Sequence, residues 1–182
     1  MPDTPTQMFF TKGVGKHKNS LESFEAALRA AGIAHVNLVR VSSILPPGCR
    51  IISRSTGLRQ LSPGQIVHVV LAESRTNEPN RLCSAGIGLA IPADAGRHGY
   101  ISEHHGYGLK VRTLADMVED MAASMLATTL GLELDPDTAY DERQETYRTS
   151  GLIVRTRAAV QTCEGDKNGL WTTVVAAAVF LP

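Results

Sequence analysis

Strand-length apolar runs, separated by polar or Pro/Gly-rich turns, recur along most of this 182-residue chain, and only two stretches carry helical periodicity. Such patterning directs a chain toward sheet with helices laid on its faces. Met8 to Lys16, "MFFTKGVGK", reads as a short strand running into a glycine turn. Val36 to Ser43 is rich in β-branched residues and reads as a strand. "GQIVHVVLAES" (Gly64 to Ser74), "LCSAGIGLAIPA" (Leu82 to Ala93) and "HGYISEHHG" (His98 to Gly106) are further strand candidates. Two long ones close the chain, "RTSGLIVRTRAAVQT" (Arg148 to Thr162) and "GLWTTVVAAAVFLP" (Gly169 to Pro182). Between them "EGDKNG" has the composition of a hairpin turn.

The first helix is expected over Ser20 to Ala31, where Leu21, Phe24, Leu28 and Ala31 recur at helical spacing. Asn19 is placed to cap it, with Glu22 three residues later, and Gly32 stands where it stops. The second is expected over Thr113 to Leu130, with Thr113 and Asp116 as the capping pair. Its apolar stripe is Leu114, Met117, Val118, Met121, Met125 and Leu130, and Gly131 and Asp135–Pro136 end it. Many strands, often close enough in sequence to pair antiparallel, with two main helices, make a single α+β domain over residues 1–182.

Bulk properties narrow the function. Eighteen basic and eighteen acidic residues cancel, and no block of five like charges occurs, so nothing marks a nucleic-acid binder. "MPDTPTQMFF" lacks the basic and apolar regions of a signal peptide, and no apolar run reaches membrane-span length. Cys49, Cys83 and Cys163 are odd in number and widely spaced, which points to free thiols and a cytoplasmic location. "GVGKHK" (Gly13 to Lys18) lacks the spacing of a phosphate loop and reads as a solvated basic turn. The glycines of "GIGLA" (Gly86 to Ala90) read as a strand that another backbone approaches closely. In "EHHG", His104 and His105 point to opposite faces of a strand, so they do not converge on one metal ion. No serine sits in a GxSxG elbow.

The remaining feature is "VNLVRVSSILPPGC", Val36 to Cys49, where a strand ends on Ser42 and Ser43 shortly before Pro46 and Pro47. A serine hydroxyl can attack the carbonyl that precedes it and turn that amide into an ester. Elimination of the ester carboxylate, then hydrolysis of the resulting enamine, cuts the chain and leaves a pyruvoyl group. Such a step calls for an over-determined backbone and for donors aimed at the attacked carbonyl. The prolines restrict the segment that follows.

The segment "AAGIAHVNLVRVSSILPPGC" resembles the processing segment of the pyruvoyl-dependent arginine decarboxylases, in its AGI, VNL, R-hydrophobic-SSI and PP elements. "FTKGVG" (Phe10 to Gly15), "SFEAAL", "GYISEHHG" and "WTTVVAAAVF" extend the likeness, in order, over most of the chain. The resemblance implies a four-layer αββα sandwich of mainly antiparallel sheets, assembled as a homotrimer. It implies cleavage of Ser42–Ser43 into chains 1–42 and 43–182, with Ser43 becoming the covalent pyruvoyl cofactor. It further implies that Asn37 serves processing and the site, that Glu103 is the proton donor, and that Glu25 takes the substrate guanidinium beside Ser42. Archaeal relatives carry Asp at the Glu25 position, and the "EHHG" segment departs from a Glu-rich version. The reaction implied is decarboxylation of arginine to agmatine through a Schiff base on the pyruvoyl group. Decarboxylation of histidine, lysine or ornithine, or an unprocessed trimeric binding protein, are the competing readings. Asn37 and Ser43 stand six apart on one strand and so lie roughly 20 Å apart, which points to a site shared between protomers if both serve it.

Overall fold

The computed structural model describes residues 4–131, 142 and 151–182. In chain order the elements are β1 (Gln7–His17), α1 (Ser20–Ala31), β2 (Asn37–Arg40), β3 (Ile44–Leu45), β4 (Arg50–Ile51), α2 (Arg54–Leu58), β5 (Ile66–Thr76), β6 (Leu82–Pro92), β7 (Gly99–Tyr107), α3 (Val111–Thr129), β8 (Ile153–Glu164) and β9 (Trp171–Leu181). They form two sheets, ordered β2-β5-β9-β1-β4 and β3-β7-β6-β8. The second is antiparallel throughout, and the first is antiparallel except where the short β2 and β4 run parallel to β5 and β1.

Strand alternation divides the apolar side chains between two layers of core. Met8, Val70, Ala176, Ala178 and Phe180 point from the five-stranded sheet toward Ile87, Leu89 and Ile101 of the other. Their neighbours Phe9, Val69, Leu71, Val175 and Val179 point outward, under Ala27 and Ala31 of α1. On the far side, Leu114 and Val118 of α3 pack on Val160, and Ala122, Ala123 and Leu126 pack on Ala90 and Ile153. The layers are therefore α1, sheet, sheet and α3, the expected αββα sandwich.

α1 spans the expected residues. Asn19 accepts the amides of Leu21 and Glu22, and Gly32 closes the helix in the left-handed region at φ 82°. Glu22 does not complete a capping box; its carboxylate meets His17 Nε2 at 3.0 Å.

Five expectations need correction. "GVGK" is not a turn: β1 runs through to His17, and a side chain on Gly13 or Gly15 would strike the backbone of α1. These glycines let a helix lie on the strand, as Gly88 does for α3 at Val118. "EGDKNG" is not a hairpin, because β8 belongs to one sheet and β9 to the other, and the segment carries the chain between them. α3 starts at Val111 after Lys110, with no side-chain cap, so Thr113 and Asp116 are not its capping pair. Its buried face includes Ala122 and Ala123 while Met121 is exposed, because small residues allow close approach to the sheet. Finally, the strand expected over Val36 to Ser43 covers only Asn37–Arg40. Asp135–Pro136 and the start of the Arg148 strand lie outside the described residues.

Candidate active site

The chain passes from one sheet to the other at the serine pair. β2 lies on the edge of β5, and the Val41 amide still donates to the Val69 carbonyl at 3.0 Å. Three residues on, Ile44 and Leu45 pair with Tyr100 and Gly99 of β7 in the opposite sheet. Ser42 and Ser43 span the gap, the first exposed and the second half-buried. The segment past them is anchored by Leu45, which is buried in the core between the sheets.

The prolines now have a purpose. The Cys49 amide donates to the Pro46 carbonyl at 3.1 Å, and Gly48 has φ 69°. Pro47 with its fixed φ, followed by a glycine at positive φ, is the pattern of a type II turn. It sends the chain back to the five-stranded sheet, where β4 joins β1.

Two backbone hydrogen bonds define the serines. The Ile44 amide donates to the Ser42 carbonyl at 3.1 Å, closing a three-residue turn centred on Ser43. The Ile101 amide donates to the Ser43 carbonyl at 2.7 Å. Ser43 does not have positive φ; among the described non-glycine residues only Asn80 does. The bond is thus held by hydrogen bonds on both flanking carbonyls rather than by a forbidden backbone angle.

β7 also carries Glu103, two residues past Ile101 and on the same face of the strand, about 7 Å further along it. Glu103 is exposed, as are His105 and Tyr107. Beyond Tyr100 no strand covers the β3 side of β7, and beyond Val69 none covers the β2 side of β5, among the described residues. Arg40 partly covers the second edge: its guanidinium donates to the Leu71 carbonyl at 3.2 Å and pairs with Glu73 at 2.6 Å. Glu73 also holds Arg75. Nothing in sequence spacing pairs Arg40 with Glu73, since neighbouring parallel strands bring them together.

Glu25 and Asn37 stand elsewhere. Glu25 lies on α1, on the outer side of the five-stranded sheet, and both its oxygens accept from Arg29 at 2.7 Å. With His17, Glu22, Ala26, Arg29 and Ala30 it lines an open groove. Asn37 opens β2, about 13 Å of strand from Val41, and its amide group donates to the Gly64 carbonyl at 2.8 Å. Within one chain, Ser42, Ser43 and the strand bearing Glu103 come together, and Glu25 and Asn37 do not join them.

Comparison with known proteins gives one family. Residues 7–182 match the family model for pyruvoyl-dependent arginine decarboxylase (PvlArgDC). The chain is 56% identical over 182 residues to a probable pyruvoyl-dependent arginine decarboxylase of Chloroherpeton thalassium, covering 100% of both chains. It is 54% identical over 177 residues to a pyruvoyl-dependent arginine decarboxylase of Methanococcoides burtonii, covering 97% of this chain and 98% of the relative. It is 53% identical over 177 residues to pyruvoyl-dependent arginine decarboxylase 2 of Methanosarcina acetivorans, covering 97% of each.

Proposed function

The chain belongs to the pyruvoyl-dependent arginine decarboxylase family, and on that premise we propose that it cuts itself between Ser42 and Ser43 and then decarboxylates L-arginine to agmatine and carbon dioxide. The observation that carries the processing step is the donor on the Ser42 carbonyl. Attack by Ser43 Oγ places negative charge on that oxygen, which already accepts the Ile44 amide at 3.1 Å. The C–N bond then breaks, leaving an ester and a free Ser43 amine. Loss of the Ser43 α-proton with rupture of Cβ–Oγ releases Ser42 as a carboxylate. Hydrolysis of the enamine consumes one water and releases ammonia, and residue 43 keeps a ketone. The residues present suit the group: the serine is half-buried, and the Ile101 amide fixes its carbonyl.

The pyruvoyl ketone supplies an electron sink for the substrate carbon that loses carbon dioxide. Glu103, on the strand that holds residue 43, delivers a proton to that carbon. Glu25 holds the substrate guanidinium in a carboxylate–guanidinium pair, the kind of contact it now makes with Arg29, whose Nη2 donates to both its oxygens. Because α1 lies outside the sheet, Glu25 and Asn37 serve residue 43 of a neighbouring copy, and the working unit is a homotrimer. The open edges of β5 and β7 support this, since uncovered strand edges are surfaces that take a partner. No helix among the described residues is long and apolar enough to cross a membrane. The three free cysteines suit a reducing cytoplasm.

Release of labelled carbon dioxide from arginine, lysine, ornithine and histidine tests the substrate. Arginine is expected to turn over fastest by a wide margin. Preference for another of the four would overturn the assignment.

A further inference from the structure

We propose that His68 is the hydrogen-bond partner of the Ser42 carboxylate set free during processing, and that it promotes that release. The inference rests on self-cleavage at Ser42–Ser43 and adds a residue to it. A cavity of about 270 Å³ lies beside the crossing. Pro5, Val41, Ile44, Pro46 and Phe180 make its wall apolar, and among the described residues the only polar side chains lining it are Ser42 and His68.

Strand geometry puts the imidazole there. Val67 and Val69 of β5 face α1, so His68 between them faces the other sheet. The register of β5 with β9 pairs Val69 with Val179, which sets Phe180 beside His68. On the other side β2 pairs Val39 with His68, and Val41 is bonded to Val69. Ser42 therefore leaves the sheet at the rim of the cavity that His68 lines.

The chemistry of processing gives this position a task. When Cβ–Oγ of Ser43 breaks, its electron pair goes to the oxygen that remains on Ser42, and the Ser43 α-proton passes to water. Ser42 becomes a carboxylate on a solvent-facing rim whose prolines and aliphatic and aromatic side chains offer it no hydrogen bond, so a neighbouring N–H donor favours its release. An imidazole offers an N–H donor in either tautomer. His68 has no hydrogen bond or ion pair among the described residues, so that donor is free for the carboxylate. In sequence a single histidine inside "QIVHVVL" looks like an ordinary strand residue.

The test follows chain cutting by intact mass in the parent protein and in His68→Ala, His68→Phe and His68→Gln. Circular dichroism checks that each variant keeps the parent fold. Loss of the donor is expected to slow cutting by about tenfold or more in the Ala and Phe variants. Those two should also accumulate an uncut chain that hydroxylamine cleaves at the Ser42 ester. The Gln variant, which keeps an N–H donor, should recover most of the rate. Cutting of the Ala and Phe variants within about twofold of the parent would overturn the proposal. So would a Gln variant as slow as Ala. A parent protein that is never cut would refute self-cleavage itself, a different result from either.

Discussion

β9 and the crossing from Val41 to Arg50 are built in opposite ways. β9 pairs with β1 along its whole length and with β5 along most of it, and every residue from Thr172 to Leu181 is buried. The crossing has two-residue strands, exposed Ser42 and half-buried Ser43, and hangs on a few backbone hydrogen bonds and Leu45. The contrast would let the chain be cut at the proposed bond without falling apart. Each side of Ser42–Ser43 is bonded to a different sheet, Val41 to β5 and Ser43 to β7. The proposed upstream piece keeps β1, which stays paired with β9 after the bond is gone. The fold is held away from the bond proposed to react, and that bond carries little of it.

The sharpest way to break this division is to damage the scaffold. Gly13→Val would drive a side chain into the backbone of Ala27 and Ala31. Overpacking of this kind costs about 3 kcal/mol or more where rigid backbone cannot move. Thermal unfolding should show a strongly lowered midpoint, and the chain should be poorly cut. A midpoint equal to the parent's would mean that α1 does not lie this close to β1. Glu103→Gln acts on the other region. It should leave the fold and the cutting intact, while kcat falls by about 10²-fold or more through loss of the proposed proton donor. If cutting fails instead, Glu103 belongs to processing rather than to turnover. The smallest effect concerns Cys49, in the turn that ends the crossing. Burial pushes its thiol up to about 11. Because only the thiolate reacts, alkylation at pH 8 should run about a hundredfold slower than in the unfolded chain. As pH rises toward 11 the native rate should climb. A native rate equal to the unfolded one would show the turn to be loose.

What the sequence made legible follows from how local each signal is. The ends of α1 could be read because Asn19 and Gly32 act on adjacent backbone. The family resemblance could be read because the motif around Ser42 and Ser43 is contiguous. The hairpin expected at "EGDKNG" failed because composition reports a change of direction and not which strand receives the chain. Gly13 and Gly15 carry no sequence mark of their role, because a glycine that admits a helix looks the same as one that makes a turn. The Ile44 amide on the Ser42 carbonyl had no sequence signal at all, since any residue but proline offers that donor. His68 reaches the crossing only through the parallel pairing of β2 with β5, a contact between segments far apart in the chain.

The intact mass of the purified protein under denaturing conditions tests self-cleavage at Ser42–Ser43 most directly. Two chains are expected, of 42 and 140 residues (182 − 42), the larger beginning with a ketone that reacts with a hydrazine. Ser43→Ala should remain one chain near 19.5 kDa. A single 19.5 kDa chain from the unaltered sequence would contradict the account.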